Sequence, residues 1–225
     1  ITVTEIYDMQ ARAILEATIA SAAAGAVVVP EIMIPLVSAR REVEIVKTRV
    51  DAVAAALRNE TGQDFTYRLG VMVETPRAAL RAGDIARHAA FLSFGTNDLT
   101  QMTYGLSRDD AGRFMGTYVQ QGVYDEDPFH ILDEDGVGEL LLTGTQRARA
   151  AHPEITIAVC GEHGGNPESI AFCQRAGLDY VSCSPFRVPV ARLAAAQESI
   201  RAKMPNTDCF GAVAASARRM LQARI

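Results

Sequence analysis

The sequence predicts an α/β fold built on a parallel sheet. Three observations carry this reading. Apolar, β-rich runs alternate with runs of helical period five times along the 225 residues, the pattern of strand–helix units. Several of the β-rich runs are apolar at every position, as burial of both sheet faces requires. Those runs also end in glycine or proline turns that carry polar side chains, the arrangement found where parallel sheets bind ligands.

Taken in order, residues from Thr4 to about Ala24 place Ile6, Met9, Ala13, Ile14, Ala17 and Ala20 at helical spacing, and Gly25 stops the helix. Val27 to Leu36 reads as the first strand, with Pro30 and Pro35 favouring its ends. A helix follows from about Ala39 to Glu60, with Val43, Val46, Val50, Val53 and Leu57 as its apolar stripe and Gly62 as its stop. Tyr67 to Val73 is the second strand. Pro76 suits the first turn of a helix, and a short helix is expected from about Ala78 to His88.

Phe91 to Phe94 is the central strand, broken at Gly95 and followed by Thr96, Asn97 and Asp98 before a helical pattern from Leu99. Ser107 to Asp135 is the longest irregular excursion, with one helix expected near Ala111 to Gln120. It reads equally as a lid or as a solvated loop, with Asp125, Glu126 and Asp127 facing water. Gly138 to Ala151 is helical, Ile155 to Val159 is the fourth strand, and Pro167 to Ala176 is a helix closed by Gly177. Tyr180 to Ser182 is a short fifth strand, and a helix runs from about Val188 to Lys203. Pro205 separates a last helix, about Phe210 to Ala223, so residues 1–204 are expected to form one domain and 205–225 a helical tail.

An eight-stranded barrel takes about 250 residues, or roughly 30 per unit. Five units leave two possibilities: an open, doubly wound sheet, or the last five units of a barrel. The chain opens at Ile1 rather than Met, directly into a helical pattern, so a piece of a longer protein is expected. The net charge of −5 argues against nucleic acid as a partner, and no apolar run reaches the ~18 residues of a membrane span. Cys160, Cys173, Cys183 and Cys209 lack C-x-x-C spacing, and free thiols suit a reducing cytoplasm.

Three strands end in reactive or ligating residues: Glu74, Asn97 with Asp98, and Cys160. Two carboxylates from neighbouring strands suit magnesium, whose remaining positions are filled by substrate oxygens and water. The same acids also suit helix N-termini, as a cap after Glu74 and another at Asp98. Backbone N–H groups after Gly95 suit a substrate carboxylate or phosphate, with the Asn97 amide as a further donor. Cys160 is either a thiol acid exposed at the strand end or a buried inert cysteine; Cys173, Cys183 and Cys209 read as buried and inert. His163 is open between two readings, lowering the Cys160 pKa or approaching a ligand through its Gly-rich turn, whereas His88, His130 and His152 read as surface or helix-end residues.

Three segments carry a resemblance. Val71-Met72-Val73-Glu74-Thr75-Pro76-Arg77-Ala78-Ala79-Leu80 is the first. Ser93-Phe94-Gly95-Thr96-Asn97-Asp98-Leu99-Thr100-Gln101-Met102-Thr103, continuing to Ser107-Arg108-Asp109-Asp110-Ala111-Gly112, is the second. Cys160-Gly161-Glu162-His163-Gly164-Gly165 is the third. In order and from near Ile1 to about Gln197, they resemble the PEP-utilising enzymes. The Glu-His-Gly-Gly continuation and Ser182-Cys183-Ser184-Pro185-Phe186-Arg187-Val188-Pro189 resemble the dikinase branch more than the phosphoenolpyruvate synthases or the PEP–protein phosphotransferases of sugar transport. Thr75 stands where an aliphatic residue is commoner.

The resemblance implies a (β/α)8 barrel of the TIM type, of which this chain supplies the C-terminal five βα units. It implies pyruvate or phosphoenolpyruvate as ligand and Mg2+ as cofactor, held by Glu74 and Asp98. Gly95, Thr96 and Asn97, with Glu74 and Asp98, would hold the substrate, and Cys160 would be the acid–base residue at its methylene carbon. The phosphohistidine carrier, the nucleotide-binding domain and the upstream arginines of the family lie outside these residues. Arg77, Arg108 and Arg187 do not match those arginines. A homodimer is implied, with the isolated 225 residues expected not to turn over phosphoenolpyruvate; the non-enzymatic alternative is a structural or dimerisation module.

Overall fold

The computed structural model of the chain describes residues 1–203. Helix α1 (Thr4–Ala23) precedes β1 (Glu31–Ile34), and α2 (Arg40–Thr61) leads to β2 (Arg68–Val73). The next connection holds α3 (Pro76–Leu80) and α4 (Ala82–Ala86) before β3 (Phe91–Gly95). After β3 come α5 (Thr96–Tyr104), α6 (Arg108–Ala111), α7 (Met115–Gln120) and α8 (Val137–Ala151). Then β4 (Thr156–Cys160), α9 (Pro167–Arg175), β5 (Tyr180–Val181) and α10 (Val188–Lys203) complete the described residues.

The five strands form one parallel sheet in the order β1-β2-β3-β4-β5. A doubly wound sheet reverses its strand order at a switch point. This one never reverses, so each crossover winds onward in the same direction, and the doubly wound possibility is excluded for the described strands. Every residue of β3 is buried, as expected of a strand at the middle of a sheet covered on both faces.

The long helix α2 shows why these residues take these places. Val43, Val46, Val50, Ala54 and Leu57 form the buried stripe on one helical face. Fully burying a valine or leucine side chain contributes about 1.5–3 kcal/mol. The Glu42 carboxylate accepts the otherwise unpaired N–H groups of Ser38 and Ala39 at 2.7 Å each. At the other end Gly62 takes the left-handed conformation with φ +64° and closes the helix.

Several elements differ from the sequence reading. The first strand is confined to Glu31–Ile34 rather than spanning Val27 to Leu36, and Val27 is fully exposed. The register explains this: β2 begins to pair only at Arg68 opposite Glu31, so Val27 to Val29 have no partner in the sheet. The α1 stripe is also different. Its buried residues are Ala11, Leu15 and Thr18, which pack toward α2, whereas Ile6, Met9 and Ile14 are exposed. The helix expected from Ala78 to His88 is two short helices meeting at Arg81, and the excursion carries two helices where one was expected. Helix α5 begins at Thr96, not at Leu99. The expected helix at Phe210 to Ala223, Cys209 and the tail after Pro205 lie outside the described residues.

Candidate active site

The sheet register gathers the three strand ends. Val73 pairs with Phe94, Phe94 with Val159, and Gly95 with Cys160. Glu74, the start of α5 and Cys160 therefore share the carboxyl rim of β2, β3 and β4. In parallel α/β folds this rim is where ligands bind.

Glu74 is buried at 3% relative exposure. Its Oε1 accepts the Leu36 N–H at 2.6 Å. Leu36 sits at φ +52°, the left-handed region that a branched side chain adopts at a cost of about 1 kcal/mol. That backbone conformation aims a donor at the carboxylate and fixes its orientation. Helix α3 is capped not by Glu74 but by Thr75, whose Oγ1 accepts the Ala78 N–H at 3.1 Å and donates to the Val37 carbonyl at 3.3 Å. The threonine that departs from the commoner aliphatic residue has this structural use, and Glu74 is left over for another.

Gly95 makes room for that carboxylate. A Cβ on Gly95 would stand 2.9 Å from Glu74 Cβ, Glu74 Oε2 and Met72 Sδ. Asp98 lies in the first turn of α5, favoured there by the helix dipole, and makes no cap. The Gln101 amide donates to Asp98 Oδ1 at 2.8 Å, and Gln101 Oε1 accepts the Arg108 N–H at 2.8 Å. An N–H can only donate, so the Gln101 orientation is determined: its oxygen faces Arg108 and its NH2 holds the aspartate. Gln101 lies in the second resembling segment, but only the structure shows its hold on Asp98.

Burial pushes the Glu74 pKa up; the Leu36 N–H opposes it, and the Asp98 carboxylate beside it adds to the rise. No lysine or arginine is among the groups that act on it. Two neighbouring carboxylates, one buried and neither neutralised by a side chain, are what a hard divalent cation requires. Among the described residues no cluster of three or more His, Cys, Asp and Glu offers a fuller protein cage. The donor set therefore fits Mg2+, which keeps water and substrate oxygens as its remaining ligands.

Asn97 has a determined orientation too. Its Oδ1 accepts the Glu162 N–H at 3.1 Å, so its NH2 is left as a donor. Gly161, at φ +112°, permits the contact: a Cβ there would lie 2.9 Å from both Asn97 Oδ1 and Thr96 Oγ1. Thr96 is completely buried, backbone and side chain alike, so its contacts are within the protein. Its hydroxyl lies 3.1 Å from the Cys160 carbonyl and 2.8 Å from His163 Nδ1.

Cys160 is partly exposed, and its Sγ donates to the Phe94 carbonyl at 3.6 Å. Burial raises its pKa, Ser93 works the other way, and the Glu74 charge raises it further, so the thiol keeps its proton at neutral pH. His163 does not lower it. The ring is fully buried, and both its nitrogens are occupied, Nδ1 by Thr96 and Nε2 by the Pro128 carbonyl at 3.0 Å. Cys173 is buried as expected, but Cys183, two residues beyond the end of β5, is partly exposed and lines a cleft with Gly161, Glu162, Gly165, Ser182, Ser184 and Arg187. Arg77 and Arg108 are engaged locally, by the Ser38 carbonyl and by Glu162 at 3.7 Å.

A parallel sheet wound in one direction, with carboxylates, an amide and a thiol on its carboxyl rim, defines an α/β domain with a candidate ligand site on that rim. The chain belongs to the family of PEP-utilising enzymes through their PEP-binding domain, which residues 1–200 match. It is 56% identical over 204 residues to a pyruvate, phosphate dikinase of Rhizobium meliloti (strain 1021), covering 90% of this chain and 23% of that protein. The dikinase of Clostridium symbiosum is 52% identical over 204 residues, again 90% and 23%. Dikinase 2 of Zea mays is 53% identical over 197 residues, covering 88% and 22%. The chain thus spans less than a quarter of the length of these relatives. A solved citrate lyase from Burkholderia xenovorans LB400 superimposes with a TM-score of 0.50 at 18% identity, over 73% of this chain and 48% of that one, a likeness of fold. Among the described residues no helix is long and apolar enough to cross a membrane.

Proposed function

We propose that this chain forms the pyruvate- and phosphoenolpyruvate-binding part of a longer, dikinase-type phosphotransferase. Its five units belong to a (β/α)8 barrel, a reading supported by the unreversed strand order. The observation that carries the function is the shared rim, where register places Glu74, the α5 start and Cys160 at one level.

Glu74 and Asp98 hold Mg2+, which when bound offsets the charge that develops on the enolate and phosphoryl oxygens. The free NH2 of Asn97 and the backbone N–H groups of the first turn of α5 beyond Thr96 hold the substrate carboxylate. Toward pyruvate, the phosphoryl group leaves the enol oxygen for a histidine on another domain of the full-length protein. The Cys160 thiol gives its proton to the methylene carbon, which becomes the methyl group. In reverse, the thiolate removes a methyl proton and the enolate oxygen takes the phosphoryl group from phosphohistidine. A thiol held protonated by burial suits the first role.

The partners in this reading are pyruvate or phosphoenolpyruvate, the phosphohistidine domain and a second copy of the protein, in the cytoplasm. The test is Cys160→Ala in the full-length protein. Turnover of pyruvate should fall about 10²- to 10⁴-fold with KM little changed. Retained turnover would overturn the reading.

A further inference from the structure

We propose that His163 is a positioning residue that locks the turn carrying Cys160 against the helix start carrying Asn97 and ties both to the excursion of residues 107–135. The argument is a count of protons. The Pro128 carbonyl only accepts, so Nε2 carries the ring hydrogen and donates to it at 3.0 Å. Burial pushes the His163 pKa down, so the ring is neutral and Nδ1 is a bare acceptor. The Thr96 hydroxyl has one proton and two acceptors within reach, Nδ1 at 2.8 Å and the Cys160 carbonyl at 3.1 Å. If it turned to the carbonyl, two lone pairs would face each other at 2.8 Å. The proton therefore goes to Nδ1, and the Thr96 hydroxyl is engaged within the protein.

The ring thus joins three segments distant in sequence: the β3 end through Thr96, the β4 end through its own turn, and the excursion through Pro128. It is 0% exposed; loss of the Thr96 link frees the Cys160 turn from the β3 end, whereas loss of the Pro128 link releases only the excursion. The expected result is a looser Cys160 turn rather than a lost binding surface, since His163 is not itself placed on the substrate.

The two ring nitrogens can be removed separately. His163→Gln reproduces the donor to Pro128 and loses the acceptor for Thr96. His163→Asn places an amide oxygen where Nδ1 stands and loses Pro128. Thr96→Val removes the hydroxyl and leaves the ring in place. Each is made in the full-length protein and read by the rate of Cys160 alkylation with iodoacetamide and by steady-state kinetics. The kinetic arm rests on the reading of Cys160 as proton donor; the alkylation arm does not.

In His163→Gln and in Thr96→Val, alkylation of Cys160 should rise about fivefold or more. In the same two variants kcat should fall about 10- to 100-fold, with KM for phosphoenolpyruvate within about twofold. Combining the two should lower kcat no further, because they remove the same bond. His163→Asn should stay within about threefold of wild type by both readouts. Unchanged alkylation and kcat in His163→Gln and Thr96→Val would overturn the proposal. So would equal losses in all three variants, which would make the ring a core filler. If alkylation follows the expected order while the wild-type protein leaves phosphoenolpyruvate unchanged, the positioning role stands and the reading of Cys160 fails.

Discussion

The two ends of the sheet treat charge in opposite ways. At the amino end, Arg68 pairs with Glu31 at 2.7 Å and Arg149 with Asp179 at 3.0 Å, with all four side chains partly open to solvent. Such pairs contribute 0–1 kcal/mol and ask little of the fold. At the carboxyl end, Glu74 is buried beside Asp98 without a cationic side chain, and Leu36 adopts a strained backbone to supply its donor. Folding alone would not favour the second arrangement. A chain tolerates it where the charge has work to do after folding, which makes the rim, and not the amino end, the candidate functional face.

Substitutions at the two ends should separate function from stability. The largest effect is expected at Glu74. Glu74→Gln keeps the acceptor for Leu36 and removes the charge, so turnover by the full-length protein should fall about 10³-fold. The same change should stabilise the metal-free protein by about 1 kcal/mol at neutral pH, seen in denaturant unfolding. The sign follows from the raised Glu74 pKa: the folded state holds that proton more firmly than the unfolded state. Wild-type stability should therefore increase as pH falls through the folded pKa, and the substitution should flatten that rise. Greater stability with unchanged turnover would break the contrast between the two ends.

Gly95→Ala comes next. Its methyl would meet Glu74 and Met72 at 2.9 Å inside a fully buried strand, so about 1–3 kcal/mol of stability should be lost. Turnover should fall about 10²-fold through displacement of the carboxylate. Gln101→Ala leaves Asp98 without its holder, and Mg2+ affinity, measured by calorimetry, should weaken about 10-fold with folding little changed. The smallest effect belongs to the amino end. Glu31→Ala should cost under about 1 kcal/mol, less at high salt, and leave turnover as it was.

The parts of this contrast that rest on local pattern were readable from the sequence. Alternating runs and glycine or proline stops located the strands, and strand ends followed by polar residues placed Glu74, Asp98 and Cys160 on one rim. What pattern does not carry is which face a neighbour covers. The apolar residues Ile6, Met9 and Ile14 of α1 look like a core stripe, yet Ala11 and Leu15 are the buried ones, because α2 lies on their side. Nor does it carry polar pairing across long separations. His163 meets Thr96 and Pro128 across 67 and 35 residues, and no spacing rule reaches that far. The sequence offered Glu74 as the cap of the helix after Pro76, and the backbone geometry gives that place to Thr75.

The central claim is that carboxylates and thiol surround one ligand, and alkylation of Cys160 tests it most directly. In the full-length protein at pH 8.5, Mg2+ and phosphoenolpyruvate together should slow labelling about 10-fold or more, and neither alone should. The protection should vanish in Glu74→Gln. Protection by phosphoenolpyruvate without metal, or labelling indifferent to both, would contradict the account.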